Sequence, residues 1–291
     1  MRKGICLFGL LVCIAGSGMG EQKTDQIPVA PPSDIAGPIQ FETRRSHKEY
    51  GHDCQLDKSP LAIAVGGQHP GVCVWFDLSY PEVISAPSEV AKTRINYAIR
   101  QWVLEESAGG AGERSDTIAK SQETLYQDFA NLERQNRSAF SPDSLRGFWF
   151  QRKVKVVYQS ANVLSLSRDQ AGEAGGRENW RLDYANFRPS TGAPISLEDI
   201  LKPGYEKSLN AYGEVRFRTL LHLAPSTSFE GTLFNFAPDG FYLNDNFAIG
   251  PKGLTFQYYV GEVGAIAAGG PAVFLPYSGL QRLIRPDANI P

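Results

Sequence analysis

Residues 147–168 read GFWFQRKVKVVYQSANVLSLSR, and residues 180–187 read WRLDYANF. Three strand-like runs follow one another here, over 147–159, 162–168 and 180–187, rich in the Val, Tyr, Trp and Phe that suit a pleated surface. No helical period separates them. Helical patterns lie upstream and downstream instead, so strands and helices come in runs rather than in strict alternation. That grouping predicts an α+β fold with a largely antiparallel sheet and two long helices packed on one face.

Outward from this stretch, residues 72–79 alternate: Val72, Val74, Phe76 and Leu78 point one way, and Cys73, Trp75, Asp77 and Ser79 the other. This is the pattern of a strand with one buried face. Tyr80-Pro81 is expected to end it, because proline cannot donate to a ladder. Residues 88–106 then carry Ala91, Ile95, Ala98, Ile99 and Trp102 at helical spacing, with Ser88 as N-cap. A glycine cluster at 109–112 breaks that helix, and a second is expected over about 116–139. Ser196 with Asp199 forms a short capping-box pattern, and residues 204–222 look helical. Two further strands are expected at Phe241–Ile249 and Leu254–Val260, joined by Gly250-Pro251-Lys252-Gly253, with a last short helix at Ser278–Ile284.

The chain has 291 residues, 42% of them hydrophobic, with 29 basic against 31 acidic side chains. No basic patch stands out, which argues against nucleic acid as a partner. Residues 1–20 read as an export signal: Arg2 and Lys3 lead an apolar stretch from Ile5 to Ala15, and small residues follow at Ser17, Gly18 and Gly20. Residues 21–38 are polar and proline-rich, a flexible linker, and residues 39–291 form one domain. The chain is expected to be periplasmic or secreted, with no transmembrane segment after signal removal. The alternative, a lipoprotein anchored through Cys13, meets Val12 where a small residue is wanted.

Removal of the signal leaves Cys54 and Cys73, an even pair in an oxidising compartment. They are expected to form a disulfide that contributes about 3 kcal/mol. A zinc site with His52 and His69 lacks the tight cysteine spacing such sites use. No metal or cofactor is implied. A nucleophilic triad needs a base beside Ser or Cys, and His47, His52, His69 and His222 give no such grouping. The glycine loop Gly172–Gly176 lacks both the G-K-[ST] and the G-x-G-x-x-G context of a phosphate cradle and reads as a turn between strands. Glu262, in an aromatic and glycine setting, reads as an edge carboxylate that bonds nearby backbone N–H groups, with a partly desolvated acid as the alternative.

Over residues 72–286 the chain resembles a bacterial domain family of unknown function, DUF3298. The resemblance is carried by Tyr80-Pro81-Glu82, Ile95-Asn96 with Ile99, and the Leu-Ser-Leu strand. It continues through Gly175-Gly176, Asn186 with Thr191-Gly192, and Leu197-Glu198-Asp199-Ile200-Leu201. Near the end come Phe247, Gly253-Leu254, Phe256, Tyr259, Glu262, Gly269 and Leu275-Pro276-Tyr277. The family loop usually reads Gly-Gly-Ala-His; here Arg177-Glu178 follow the glycines. The domain also occurs in lysozyme-sensing anti-sigma factors and beside the catalytic domain of some peptidoglycan deacetylases. This chain has neither an internal transmembrane helix nor the T-x-D-D with H-x-x-x-H of the deacetylases.

The resemblance therefore implies a binding or sensing module whose partner is an envelope protein of lysozyme-like kind or a peptidoglycan fragment. Interfaces draw on aromatics and arginine, so the candidate ligand-binding residues are Arg177, Trp180, Tyr242, Tyr258 and Tyr259, with Glu262 beside them. The alternative function is a cell-wall glycan-acting enzyme using Glu262 and Asp245 as its carboxylates. A third is a structural envelope protein with no small ligand.

Overall fold

The computed structural model describes residues 37–51, 73–104, 118–120, 122–124, 127, 148–174, 177–225, 227–229, 232–236 and 240–291. The expected signal, almost all of the linker and Cys54 lie outside the described residues, as does the Cys73 side chain.

Two sheets make up the α+β architecture. The first has five strands in the order β1 (Gln40–Gly51), β2 (Cys73–Ser85), β3 (Phe148–Gln159), β4 (Leu164–Ala174) and β5 (Arg177–Phe187). All neighbours are antiparallel except β2 and β3, which run parallel. A parallel pair needs a crossover, and helix α1 (Glu89–Leu104) lies on it. The second sheet is an antiparallel meander of β6 (Phe247–Ile249), β7 (Gly253–Gln257) and β8 (Ala272–Pro276). The antiparallel pairing expected for one sheet is thus divided between two. Helices α2 (Leu197–Ile200), α3 (Glu206–Leu220) and α4 (Tyr277–Leu280) and a 3-10 turn at Ile266–Ala268 lie after the first sheet in the chain.

Helix α1 buries Ala91, Ile95, Ile99 and Val103, a strict four-residue stripe, the last three against Phe76, Leu78, Phe150, Val154, Val156 and Leu166 of the first sheet. Ser88 caps it by accepting the Ala91 N–H at 3.1 Å. The second long helix falls largely outside the described residues. Its residues 118–120 and 122–124 are helical, and Ile118 packs against the same core. A separate core forms around the second sheet from Leu209 and Phe217 of α3 with Ile249, Leu254, Phe256, Tyr258 and Leu275.

Two expectations are corrected. Strand β2 does not stop at Tyr80-Pro81 but runs to Ser85. Strand β3 pairs with β2 only over Val74–Ser79, so beyond that point one edge of β2 has no strand beside it. There Asn96 of α1 takes over. Its amide donates to the Val83 carbonyl at 3.0 Å, and its oxygen accepts the Val83 N–H at 2.8 Å. Pro81, two residues earlier, directs its nitrogen to the same side, where no ladder partner is lost. The second correction concerns Phe241–Ile249, of which only Phe247–Ile249 is strand.

Carboxamides clamp backbone at three further places. Gln159 accepts from the Ile39 N–H at 3.3 Å and donates to its carbonyl at 3.2 Å. Asn186 donates to Phe247 O at 2.8 Å and accepts from the Ile249 N–H at 2.9 Å. Asn246 accepts from the Tyr184 N–H at 2.7 Å and donates to Leu182 O at 2.8 Å and Gln257 O at 2.9 Å. The last two join the outer edge of β5 to the second sheet. They explain why Tyr242–Asn246 is not strand: side-chain amides rather than main chain fill the gap there.

Candidate functional site

The junction of the two sheets opens into a cleft of about 360 Å³. Trp102 enters it from the last turn of α1, Arg168 from β4, and Arg181, Asp183 and Tyr184 from β5. Asn244, Asp245 and Asn246 precede β6, and Tyr259 follows β7. Strand register places Arg168 directly across from Asp183. Arg181 and Asp183, two apart on one strand, share a face.

Asp183 is the buried centre. One oxygen accepts from Arg168 Nε at 3.0 Å and Nη2 at 2.8 Å. The other accepts from Arg181 Nε at 2.8 Å and from the Tyr259 hydroxyl at 2.9 Å. These four bonds use the full acceptor capacity of a carboxylate. Arg168 also donates to Trp102 O at 3.3 Å and sits 5.4 Å from the Trp102 ring. Arg181 lies 4.6 Å from the Tyr259 ring centre. Burial acts to lower the Arg181 pKa, but the hydrogen bond and charge of Asp183 carry it above the ordinary guanidinium value. Burial, then the charge and hydrogen bond of Asp183, lift the Tyr259 phenol above its usual range.

Of the residues the sequence singled out, Tyr259 and Asp245 line the cleft. Glu262 stands behind it, accepting the Tyr259 N–H at 2.7 Å and bonds from the Asn244 amide at 3.0 and 3.1 Å. This is the edge-carboxylate arrangement, and it fixes the turn that presents Tyr259. Trp180 is exposed on the face of β5 opposite Arg181, with its indole N–H donating to Asp169 at 3.1 Å. Tyr258 is fully buried, and its hydroxyl donates to the Tyr242 carbonyl, so it holds the second core together and presents no surface. Tyr242 is partly exposed and packs on Phe236 and Tyr258. Arg177 opens β5, paired with Ala174; its side chain lies outside the described residues.

Trp102, Arg168, Arg181, Asp183, Asn244 and Asn246 were not singled out by the sequence. The Arg181-x-Asp183 spacing within WRLDYANF was the one local signal for them, since a strand places such a pair on one face. Beyond Glu262 along the chain, Ala265 donates to Leu233 O at 2.9 Å, and a bridge pairs Phe234 with Gly264. Together they hold out Leu233 and Ile266, the latter 79% exposed. A Cβ added at Gly270 would lie 3.4 Å from the Trp180 ring, so the chain just before β8 passes close to Trp180. Among the described residues no three His, Cys, Asp or Glu group in a metal-holding arrangement, and no helix is long and apolar enough to cross a membrane.

Comparison with known families places this junction in context. Residues 198–278 match the family described as "Protein of unknown function (DUF3298)". Over that stretch the chain resembles DUF3298. The matched stretch runs from α2 into α4 and includes the Asn244–Asn246 segment, Tyr259 and Glu262. The chain is also similar in fold to a DUF3298 family protein from Bacteroides fragilis, at 16% identity and a TM-score of 0.64 over 86% of this chain and 95% of that one. A second DUF3298 family crystal structure, from Pseudomonas aeruginosa, gives 15% identity and a TM-score of 0.57 over 87% of this chain and 99% of that one. Comparison with curated proteins gave no match.

Proposed function

We propose that this chain is an exported binding module. In this reading it recognises an envelope protein of lysozyme-like kind, or a cell-wall fragment, through the surface around the junction of the two sheets, where the cleft opens and where Trp180, Leu233 and Ile266 are exposed. The observation that carries the reading is the saturation of the cleft's central groups. Asp183 spends all its acceptor sites on Arg168, Arg181 and Tyr259. Such an arrangement holds an arginine and two aromatic rings rigidly at a surface, as recognition requires, and leaves the buried carboxylate no acceptor site with which to take a proton. The exposed Ile266 and Trp180 add the apolar contact that interface centres use.

Immobilised protein should retain a partner from envelope extract, with purified lysozyme as a separate arm. The double variant Trp180→Ala, Ile266→Asp should reduce retention at least about fivefold, in line with loss of an interface anchor. Equal retention by the variant removes this face from the interface. Hydrolysis of peptidoglycan by the purified protein, abolished in Glu262→Gln, would favour the enzymatic alternative instead.

A further inference from the structure

We propose that the cleft binds a saccharide ring between the Arg181 guanidinium and the Asp245 carboxylate, with Trp102 as its apolar wall; this rests on the reading of the chain as a binding module. The floor of the cleft is already satisfied. Asn246 spends its oxygen on Tyr184 N–H and its amide on Leu182 O and Gln257 O. Asn244 spends its amide on Gln257 O and Glu262. Arg181 and Asp245, among the lining residues, keep capacity. The Arg181 side chain is 43% exposed and bonds described residues through Nε and Nη2, which leaves its Nη1 hydrogens available to a ligand. Asp245 is exposed and has no hydrogen bond or ion pair with any described residue.

A ligand here must accept on the arginine side and donate on the aspartate side. The lining contains two arginines and two aspartates, so formal charge balances and the ligand need bring none. Adjacent hydroxyls of a sugar meet all three conditions, since each both donates and accepts and carries no charge. The rings of Trp102 and Tyr259 suit the apolar C–H face of such a ring. A volume of about 360 Å³ lies at the small end of ligand sites, room for one or two sugar rings. A zwitterion such as a dipeptide would also span an arginine and an aspartate. Its carboxylate, however, would have to share the Arg181 guanidinium with Asp183, already 2.8 Å from Nε, and would be repelled by that charge.

The test uses the full chain, titrated separately with maltotriose, cellotriose, chitotriose and the dipeptide Ala-Ala, and read by tryptophan fluorescence and saturation-transfer NMR. At least one trisaccharide should saturate with a Kd below about 10 mM. Asp245→Asn, an exposed change that leaves the core intact, should raise that Kd at least about fivefold, and Asp245→Ala should do so as strongly. No saturation by any trisaccharide, binding by Ala-Ala alone, or an unchanged Kd in both variants overturns the proposal. Partner retention without saccharide binding overturns it alone; loss of both overturns the binding-module reading as well.

Discussion

Asp183 accepts bonds from three side chains while almost wholly buried, and Arg168 beside it is equally enclosed. Asp183→Asn removes a charge from a buried pair and should lower stability by about 3 kcal/mol, measured by urea denaturation. Glu82→Gln, which breaks the exposed bridge to Arg44, should give no measurable change by the same assay. Tyr258, Tyr259 and Tyr277 all have phenol pKa values raised, first by burial. A raised pKa in the folded state means the protonated phenol is favoured there. The stability this confers is fully present below the unfolded phenol value of about 10 and is lost as pH rises through the higher folded values. Phenolate absorbance should therefore show a tyrosine fraction titrating late, together with unfolding above about pH 10. At this scale the sequence pointed to Glu262 through its aromatic and glycine context, to Tyr259 as an interface aromatic, and to Asp245 as a candidate partner carboxylate. It concealed the Arg168–Asp183 pair, because that contact depends on the register of β4 against β5 and no local pattern encodes register across fifteen residues.

Elements in this chain are joined by amide side chains as much as by main chain. Asn246→Ala would orphan Tyr184 N–H and Leu182 O at a buried edge, and should cost about 2–3 kcal/mol in chemical denaturation. Ser88→Ala removes one cap bond and should cost about 1 kcal/mol. Gly192 adopts φ +67° in the turn docked on α1, and a Cβ there would lie 2.8 Å from Ala91 O. Gly192→Ala should thus destabilise by more than the cap change, through both strain and contact, as seen in the thermal midpoint. Elements with a clear pattern were legible: α1 from its apolar stripe, β3 and β5 from their Val, Tyr, Trp and Phe content, and the first part of β4 from the run at 162–168. Strand β1 was not foreseen. Its QFETRRSHKEYG sequence carries charge on both faces, which suits an edge strand but hides it from a search for apolar alternation. The extension of β2 past Pro81 depended on Asn96, a residue thirteen or more positions away whose role exists only once α1 has docked.

The four tryptophans, Trp75, Trp102, Trp149 and Trp180, all belong to the first sheet and its helix, and none to residues 188–291. Tryptophan emission therefore reports one core, whereas far-ultraviolet dichroism reports both. The clamps of Asn186 and Asn246, with Ser165 donating to Ile249 O at 2.7 Å, tie the cores together. The two signals should accordingly unfold at the same urea concentration, and Asn186→Ala should pull them apart. At this scale the α+β class was legible from elements arriving in runs, while the division into two sheets was not, because it is set by side-chain amides at a junction. The parallel pairing of β2 with β3 has a further effect. Those strands are neighbours at the middle of the sheet, yet the whole span from Ser85 to Phe148 separates them along the chain. Closing so large a loop is entropically slow, so collapse of the first sheet must wait for its most distant partner. A newly made chain accordingly cannot give β2 its inner neighbour until Phe148 and the residues after it have been made.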